Sequence, residues 1–498
     1  MSLPKKVCLV FQRRFTRVAH MIALDLRARH GIGDFCGYVY MNSSARFLRD
    51  QKDIAYGRLL VDEELYEASA RETLDWDYLN KLEKEYGLPS LWPYIVVDRI
   101  IRYGMGVREY PYNKTSHTHE EMARMLQTTA RAIIDFLDEE KPDVIFLPAV
   151  SALGNMLLFH IAQKKGITVL AGAETRIDGG YILSESYRTF SFADARFHTL
   201  MQGAKSPREK DAQAYLEQYR AKPRTYRFAM ESFKDSGGRR EAFSWLMPQK
   251  IVRSVRWLSE RIVRTTMEPA HDYMEQSPWW FLLDALQRKF RLMRGYGDLY
   301  DKYDVHESFA YYPLHLEPEM AMLLLARQWT DQINLIKQIA EALPLSYKLY
   351  VKEHPGMVGF RSRRYYKELK KIPNVKLIHP NHDSHAIIKD AKLVLTQTGT
   401  AGWEAILLKK PIITFGNVYY NSLPMVEKVS DLSRLPAAVF EQLEHPKHDE
   451  KALVNFVAAL LEDSADIDMH ELWEHGLHQE KESASIRQFT NLLISKSA

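Results

Sequence analysis

Small and hydroxyl-bearing residues separate two apolar runs in VLTQTGTAGWEAILLKKPIITFG, residues 394–416. The turn between the first run and a helix-forming stretch consists of Thr398, Gly399, Thr400, Ala401 and Gly402. The first N–H groups of a helix have no acceptor within the helix, and small residues let an anion approach them closely. The turn therefore predicts a phosphate or diphosphate site, with Glu404 on the first helical turn accepting hydrogen bonds from ribose hydroxyls.

A purely structural role for this turn is the open alternative. Thr400 could cap the helix, and Glu404 could interact favourably with the helix dipole. The segment has neither the order of the GxxxxGK[ST] phosphate loop nor that of the GxGxxG dinucleotide fingerprint. The residue types alone therefore do not identify a ligand.

Charged residues follow the apolar run in LYVKEHPGM, residues 349–357. Lys352 supplies a cation, and His354 could hold a phosphate oxygen or protonate a departing phosphate. Glu353 lies between them, and Pro355 restricts the turn. This pattern predicts a second part of the same ligand site; the alternative is that His354 only fills the loop.

The elements that must position these residues follow a repeated strand and helix pattern. Short apolar runs lie at 309–314, 347–353, 375–380, 392–397 and 411–416, and helical stretches at 332–343 and 385–391 lie between them. Such alternation predicts a parallel sheet covered by helices. Ligands of open parallel sheets bind at the carboxyl ends of the strands, which is where both polar segments fall.

The same pattern occurs in the first third of the chain. Apolar runs at 5–11, 143–150 and 167–172 alternate with helical stretches at 119–140 and 153–166. We therefore predict an α/β protein with two Rossmann-like domains, each with a parallel sheet. The predicted boundaries are an N-terminal domain at 1–235, a helical connecting segment at 236–305, a C-terminal domain at 306–465 and a helical tail at 466–498.

Length and composition agree with this organisation. At 498 residues the chain exceeds what one hydrophobic core usually organises, and 68 basic against 64 acidic residues give no reason to expect nucleic acid as a partner. The two cysteines, Cys8 and Cys36, lack metal-type spacing and suit a reducing compartment, so we expect a cytoplasmic protein. We find no apolar run of the roughly 18 residues that a spanning helix needs.

Four segments together resemble a known family: YYPLHLEPEMAM, LYVKEHPGM, NVKLIHPNHDSHAII and TQTGTAGWEAILLKKPIITFG. Their succession, over residues 309–424, resembles the capsule polysaccharide biosynthesis proteins, which include Kdo transferases, and more distantly other bacterial GT-B glycosyltransferases. The resemblance implies a metal-independent transferase with two Rossmann-like domains facing a central cleft. It also implies that the C-terminal domain binds the nucleotide-sugar donor, CMP-Kdo or a similar compound.

The family pattern assigns roles to particular positions of this chain. Its His-Pro pair falls on His354 and Pro355, and its Gly/Thr turn with an acidic residue falls on Thr398, Gly399, Thr400 and Glu404. The resemblance implies no cofactor and no metal, with a saccharide or lipid-linked saccharide as acceptor. Two alternatives remain open: a nucleotide-sugar 2-epimerase of the same plan and a non-catalytic nucleotide-sugar binding subunit.

Residues that follow other predicted strands are further candidates. In AGAETRIDGG, residues 171–180, Glu174, Arg176 and Asp178 could act on the acceptor, with Glu174 as the base. Arg13 and Arg14 follow the first strand and could meet an anionic acceptor. Each of these residues could instead be a solvated loop residue or form an ion pair.

His315 follows the first strand of the predicted donor domain and should border the donor site. Glu317 and Glu319 follow it closely, and Pro318 makes a structural turn equally plausible.

Two other patterns suggest metal binding at first sight. His379, His382 and His385 lie three residues apart, but Asp383 is well placed to cap the helix that follows. The DWD sequence at 75–77 contains two carboxylates, but it opens a helical stretch and is better explained as a cap. We therefore predict no metal site.

The connecting segment contains an amphipathic pattern. In residues 277–297, the residues Trp279, Leu283, Leu286, Phe290 and Met293 share one helical face, and Arg288, Arg291 and Arg294 lie off it. Residues 251–264 have the same character. Such helices can lie on an anionic bilayer surface, which would place the protein peripherally at the inner face of the cytoplasmic membrane. The alternative is that they pack on the two domains.

Overall fold

A computed structural model describes residues 3–86, 90–103, 115–177, 179–224, 248–267, 278–467, 469, 472 and 481–497. The chain forms two compact units. The first comprises residues 1–102, 116–209 and 455–498, and the second comprises residues 103–115 and 210–454.

The strands, in chain order, are β1 (Lys6–Phe11), β2 (Asp34–Val39), β3 (Tyr56–Val61), β4 (Val144–Leu147), β5 (Thr168–Glu174), β6 (Gly180–Ser184), β7 (Phe309–Pro313), β8 (Lys348–Lys352), β9 (Val375–Ile378), β10 (Leu393–Thr396), β11 (Ile412–Thr414), β12 (Val426–Lys428) and β13 (Ala465–Asp466).

The helices up to the end of the connecting segment are α1 (Phe15–His30), α2 (Asn42–Arg49), α3 (Asp62–Ser69), α4 (Trp76–Glu85), α5 (Trp92–Val97), α6 (Arg99–Tyr103), α7 (His119–Glu140), α8 (Leu153–Lys164), α9 (Ser191–Met201), α10 (Glu209–Ala221), α11 (Pro248–Met267) and α12 (Pro278–Arg294). Those that follow are α13 (Met320–Leu325), α14 (Gln332–Ala342), α15 (Arg363–Leu369), α16 (Ser384–Asp390), α17 (Thr400–Leu407), α18 (Leu435–Glu444), α19 (Glu450–Asp463) and α20 (Lys481–Ser497). None of these described helices has the length and apolarity needed to cross a membrane.

The sheet of the first unit has the order β13-β6-β5-β4-β1-β2-β3. Strands β1 to β5 pair in parallel, but β6 is antiparallel to β5 and β13 is antiparallel to β6. The prediction of a wholly parallel sheet is therefore wrong at this edge. The physical reason is the short connection between β5 and β6, because a parallel neighbour would require a long crossover.

The sheet of the second unit is parallel throughout, with the order β12-β11-β10-β7-β8-β9. Helices cover both faces, since Tyr312 and Val351 enter one apolar cluster while Tyr311 and Tyr350 enter another. Continuous apolar strands of this kind require cover on both sides. The predicted α/β class is confirmed, and the order places the carboxyl ends of β10, β7 and β8 next to one another.

The last residues of the chain belong to the first unit, which differs from the predicted tail at 466–498. Ile486, Phe489 and Leu493 of α20 are buried in the first unit's core, and the Phe489 ring lies 4.9 Å from the Phe146 ring. Residues at this spacing share one helical face, and that face must be buried. The second unit comprises residues 103–115 and 210–454, whereas the C-terminal domain was predicted at 306–465.

Candidate functional site

The candidate site lies where three neighbouring strands of the second unit end. Pro313 at the end of β7 pairs with Lys352 at the end of β8, and β7 also pairs with β10. The Leu314 N–H donates a hydrogen bond to the Lys352 carbonyl at 2.9 Å. The loops that carry His315, His354 and the 398–402 turn therefore begin side by side, and we call these residues together with Lys352 the strand-end site.

His315 connects two of these loops. Its Nε2 accepts a hydrogen bond from the Gln397 N–H at 3.3 Å and lies 3.2 Å from the Thr396 hydroxyl. An acceptor Nε2 requires the proton of the neutral ring to be on Nδ1. Burial, with the nearby His354 and Arg361 acting in the same direction, lowers the pKa of His315 to about 3. His315 is therefore a neutral residue that joins the β7 loop to the β10 turn.

The 398–402 turn begins with hydrogen bonds that shape it. The Thr396 hydroxyl accepts from the Gly399 N–H at 3.1 Å, and α17 begins at Thr400 with Gly399 as its N-cap. Capping by Thr400 is therefore wrong. The Thr398 hydroxyl is buried and has no hydrogen-bond partner within the described part of the chain. Because a buried hydroxyl usually has one, this atom is a candidate ligand contact.

The two glycines of the turn are required for packing. A Cβ on Gly399 would lie 3.0 Å from His315 Cε1, and one on Gly402 would lie 2.3 Å from the Tyr420 hydroxyl. That hydroxyl donates to the Gly399 carbonyl at 2.8 Å. Ala401 is also buried. Ala401 can therefore serve a ligand through its backbone N–H group only, and the Gly402 N–H donates to the Gly399 carbonyl at 3.1 Å.

Lys352 and Glu404 lie in a group of buried charges below the turn. The Lys352 ammonium donates to the Ser384 hydroxyl at 2.6 Å, and burial lowers the pKa of Lys352 to about 8, against the opposing effect of Glu404. Glu404 Oε1 lies 3.9 Å from His385 Nε2. Burial raises the pKa of Glu404, while His385 and Lys352 oppose that change. The carboxylate thus has two basic neighbours.

His354 presents one ring nitrogen for chemistry. Its Nδ1 accepts from the Gly356 N–H at 3.1 Å within a 3-10 turn that starts at Pro355, so the neutral ring has its proton on Nε2. Burial lowers the pKa of His354 to about 4, and the charges of Arg361 and Lys352 act in the same direction. The ring is therefore neutral at physiological pH and can act as an N–H donor through Nε2.

Glu353 is held by the protein itself. One carboxylate oxygen accepts from the His354 N–H at 2.6 Å and from the Arg361 guanidinium, and the other accepts from the Tyr366 hydroxyl at 2.7 Å. These bonds favour a role in positioning His354. Direct donor contact by Glu353 stays an untested prediction.

Arg361 is a residue that sequence reasoning missed. Its side chain is buried, donates to the Glu317 carboxylate at 2.8 Å and to the His315 carbonyl at 2.5 Å, and pairs with Glu353. It therefore ties the loop after β7 to the loop after β8. Two acidic residues near adjacent strand ends do signal a buried cation, but they do not say which arginine supplies it.

The histidines that suggested a metal site have other partners. Asp383 caps α16 by accepting from the His385 N–H at 3.1 Å, and His379 Nδ1 accepts from the Asn381 N–H at 3.1 Å. Asp75 likewise caps α4. Both predicted caps are confirmed. Over the described residues, no group of three or more His, Cys, Asp or Glu is arranged to hold a metal ion.

The acceptor-side candidates lie at strand ends of the first unit. Glu174 Oε2 lies 3.2 Å from Arg176 Nη1, so these two form an ion pair at the end of β5. Arg13 and Arg14 are exposed at the start of α1, and Asp178 lies outside the described residues. The structure brings Glu174 and Arg176 together, and their roles toward an acceptor stay predictions.

Comparison with known proteins agrees with the resemblance seen in the sequence. Residues 306–428 match the family model described as capsule polysaccharide biosynthesis protein. The resemblance is therefore confirmed for this segment, about a quarter of the chain. Protein FixF of Sinorhizobium fredii is 30% identical over 143 residues, which are 27% of this chain and 33% of FixF. The chain thus spans about a third of the length of this curated relative.

Solved structures give weaker similarities. The beta Kdo 2,7 transferase of Thermosulfurimonas dismutans KpsC aligns with a TM-score of 0.31 and 13% identity, over 66% of this chain and 80% of that chain. UDP-GlcNAc 2-epimerase from Neisseria meningitidis aligns with a TM-score of 0.28 and 13% identity, over 92% of this chain and 98% of that chain. Similarities of this size do not distinguish one activity from another.

Proposed function

We propose that this chain is a GT-B glycosyltransferase that takes a sugar from a nucleotide-sugar donor during bacterial capsule or surface polysaccharide assembly. One observation supports the proposal most directly. The segment that matches the capsule polysaccharide biosynthesis family, 306–428, contains the whole strand-end site. CMP-Kdo or a similar compound is the donor class we propose, because the family that the sequence resembles includes Kdo transferases.

The proposed mechanism rests on charge that develops during transfer. As the bond to the sugar breaks, negative charge grows on the leaving phosphate, and donors aimed at that phosphate stabilise the transition state. The first N–H groups of α17, the Lys352 ammonium and the Nε2–H of His354 are suited to this role. With these groups the phosphate needs no metal ion, and we propose a metal-independent reaction.

The donor's nucleotide would contact two further groups. The unpartnered hydroxyl of Thr398 can donate to a phosphate oxygen, and Glu404 can accept from ribose hydroxyls. Arg361 and Glu353 would act by holding the loops that carry His315 and His354. For the acceptor, we propose Glu174 as base and Arg13, Arg14 and Arg176 as contacts to an anionic saccharide or lipid-linked saccharide.

A two-stage experiment tests the proposal on the full chain. First, cytidine, uridine, guanosine and adenosine mono- and diphosphates are screened for thermal stabilisation, since a ligand of the native state raises Tm. We expect at least one nucleotide to raise Tm, and the Thr398→Val variant to reduce that shift. No stabilisation by any nucleotide would contradict the donor site.

The second stage follows the sugar of a stabilising donor. Nucleotide release that requires an acceptor saccharide supports transfer. Interconversion of the donor at C2 without acceptor would identify the epimerase alternative, and donor binding without any turnover would identify a binding subunit.

A further inference from the structure

Two helices of the second unit take no part in the proposed donor site. Helices α11 and α12 precede β7 in the chain and contact each other. On α12, five large apolar side chains follow one another at alternating spacings of four and three residues: Trp279, Leu283, Leu286, Phe290 and Met293. At that spacing they share one helical face.

This apolar face is exposed to solvent. Trp279 and Phe290 are each 61% exposed, and Leu283, Leu286 and Met293 are between 43% and 56% exposed. Helix α11 adds Ile251, Val252 and Val255, which are also exposed. A contiguous apolar stripe of this kind usually marks a surface that binds something. The alternative that the helices pack on the domains holds for the side of α12 that carries Leu292, whereas the stripe itself is exposed.

The opposite side of α12 attaches it to the second unit. Leu292 is buried in that unit's core, and a Cβ on Gly359 would lie only 3.0 Å from it. The Arg288 guanidinium lies 4.1 Å from the centroid of the Phe360 ring, and Arg291 donates to the Phe360 carbonyl at 2.5 Å. The exposed stripe is therefore held on the same unit as the strand-end site.

The charge of the two helices identifies the partner. Together α11 and α12 contain nine basic and two acidic residues, a net charge of +7, whereas the whole chain has +4. The rest of the chain is therefore slightly acidic. An anionic lipid surface attracts each Lys or Arg near it and accepts large apolar side chains at its headgroup boundary. A second copy of this chain would bring a like charge of +7 to the same face, which opposes self-association.

We propose that α11 and α12 form a docking surface for an anionic bilayer, with the α12 stripe inserted at the lipid headgroup level and exposed basic residues such as Arg253 and Arg294 over the lipid phosphates. This inference does not depend on the proposed transferase activity. If both hold, docking would bring the strand-end site to the membrane where a lipid-linked acceptor resides.

The test is sedimentation of the full chain with lipid vesicles. We expect binding to vesicles of phosphatidylcholine and phosphatidylglycerol, weak binding to phosphatidylcholine alone, and a large loss of binding at about 0.5 M salt, because salt screens the attraction. Phe290→Ser should lower the partition coefficient by about tenfold. Arg253→Gln should lower the partition coefficient by about fivefold, because one basic residue near an anionic lipid surface contributes about this factor. Arg253→Lys keeps the charge and should preserve the coefficient.

Phe440→Ser is the matched control, because Phe440 is 60% exposed on α18 of the same unit but lies outside the two helices. It should bind like the wild type, and both serine variants should keep the wild-type Tm. The proposal is overturned by absent binding to anionic vesicles, by equal binding to neutral ones, or by equal losses in the two serine variants. It is also overturned if sedimentation velocity shows a dimer that Phe290→Ser dissociates while vesicles are not bound.

Discussion

At the scale of single residues, the strand-end site combines neutral and charged groups whose pKa values are shifted by burial. His315 and His354 both have lowered pKa values, about 3 and about 4, because burial disfavours the charged ring. Lys352 keeps its cationic character near neutral pH with a pKa of about 8. A site with one cation and neutral N–H donors suits an anion whose charge increases during the reaction.

The first residue-scale prediction concerns His354. If its Nε2–H strengthens its bond to the phosphate as the phosphate leaves, His354→Ala should lower kcat by about a hundredfold or more and change donor Kd little. Steady-state kinetics together with donor titration would measure both, with the exposed His382→Ala as control. Poor donor binding with normal turnover at saturation would reduce His354 to a ground-state phosphate contact.

The second residue-scale prediction concerns Glu404. Loss of its charge removes an acceptor for ribose hydroxyls, so Glu404→Gln should weaken nucleotide binding by about tenfold while the protein still folds. Isothermal titration with the nucleotide found in the thermal screen would measure the change. Glu444→Gln, at an exposed position of α18, should bind like the wild type. Unchanged affinity in Glu404→Gln would remove Glu404 from the site.

At the scale of elements, the site depends on loops that are held together by a buried ion cluster. Arg361 is 2% exposed and contacts Glu317, Glu353 and the His315 carbonyl, so it connects the ends of β7 and β8. Charges removed from water in this way require each other, because a lone buried charge is strongly unfavourable. The cluster therefore supports the positions of His315 and His354.

An uncharged residue in place of Arg361 tests whether the buried carboxylates of Glu317 and Glu353 depend on its charge. Arg361→Met leaves two buried carboxylates unpaired and should lower the free energy of unfolding by about 3–5 kcal/mol. Adding Glu317→Gln and Glu353→Gln to that variant should recover part of the loss. Urea unfolding of the three proteins would measure the series. A triple variant less stable than Arg361→Met would contradict the account.

At the scale of the whole molecule, the second unit has a parallel sheet that carries the strand-end site, and the first unit has a mixed sheet, one of whose edge strands is β13. Two predictions concern the whole protein: how its stability depends on pH, and whether its activity depends on metal ions. Stability can be tested without a donor or an acceptor, because it follows from groups that are buried or charged in the free protein, whereas the metal test requires the transfer reaction.

His315 is one of the groups that make stability depend on pH. Its folded-state pKa of about 3 lies below the unfolded value of 6.5, so the unfolded chain takes up a proton first as pH falls. The stabilisation is complete above pH 6.5 and is lost as pH falls toward 3, by about 2 kcal/mol at pH 5. Tm should therefore fall by several degrees between pH 7 and pH 5, and less in His315→Gln. Equal falls in both proteins would contradict this assignment.

Metal independence is the remaining prediction. If helix N–H groups, Lys352 and His354 meet the phosphate charge, transfer should proceed at the same rate in excess EDTA. Activity that EDTA abolishes and that magnesium or manganese restores would show that the proposed metal-free mechanism is wrong.

Much of the local structure is encoded within short stretches of the sequence. Helix α7 has the predicted bounds 119–140, and Asp383 caps α16 as its position before an apolar run indicates. Strands β7, β8 and β10 were predicted from apolar runs, and the two polar segments lie at their carboxyl ends as expected. Periodicity, caps and turn residues depend on neighbours in sequence, so a single chain reveals them.

Long-range partners were decided only by the tertiary structure. Arg361 meets Glu317 across 44 residues, and Thr396 meets His315 across 81, so no local pattern reports either contact. The sequence also does not show that α20 packs in the first unit or that β6 pairs antiparallel to β5, because similar apolar faces can be buried in several ways. The protonation of His315 and the partners of Glu353 could not be predicted for this reason, because burial and pairing arise only when distant segments pack together.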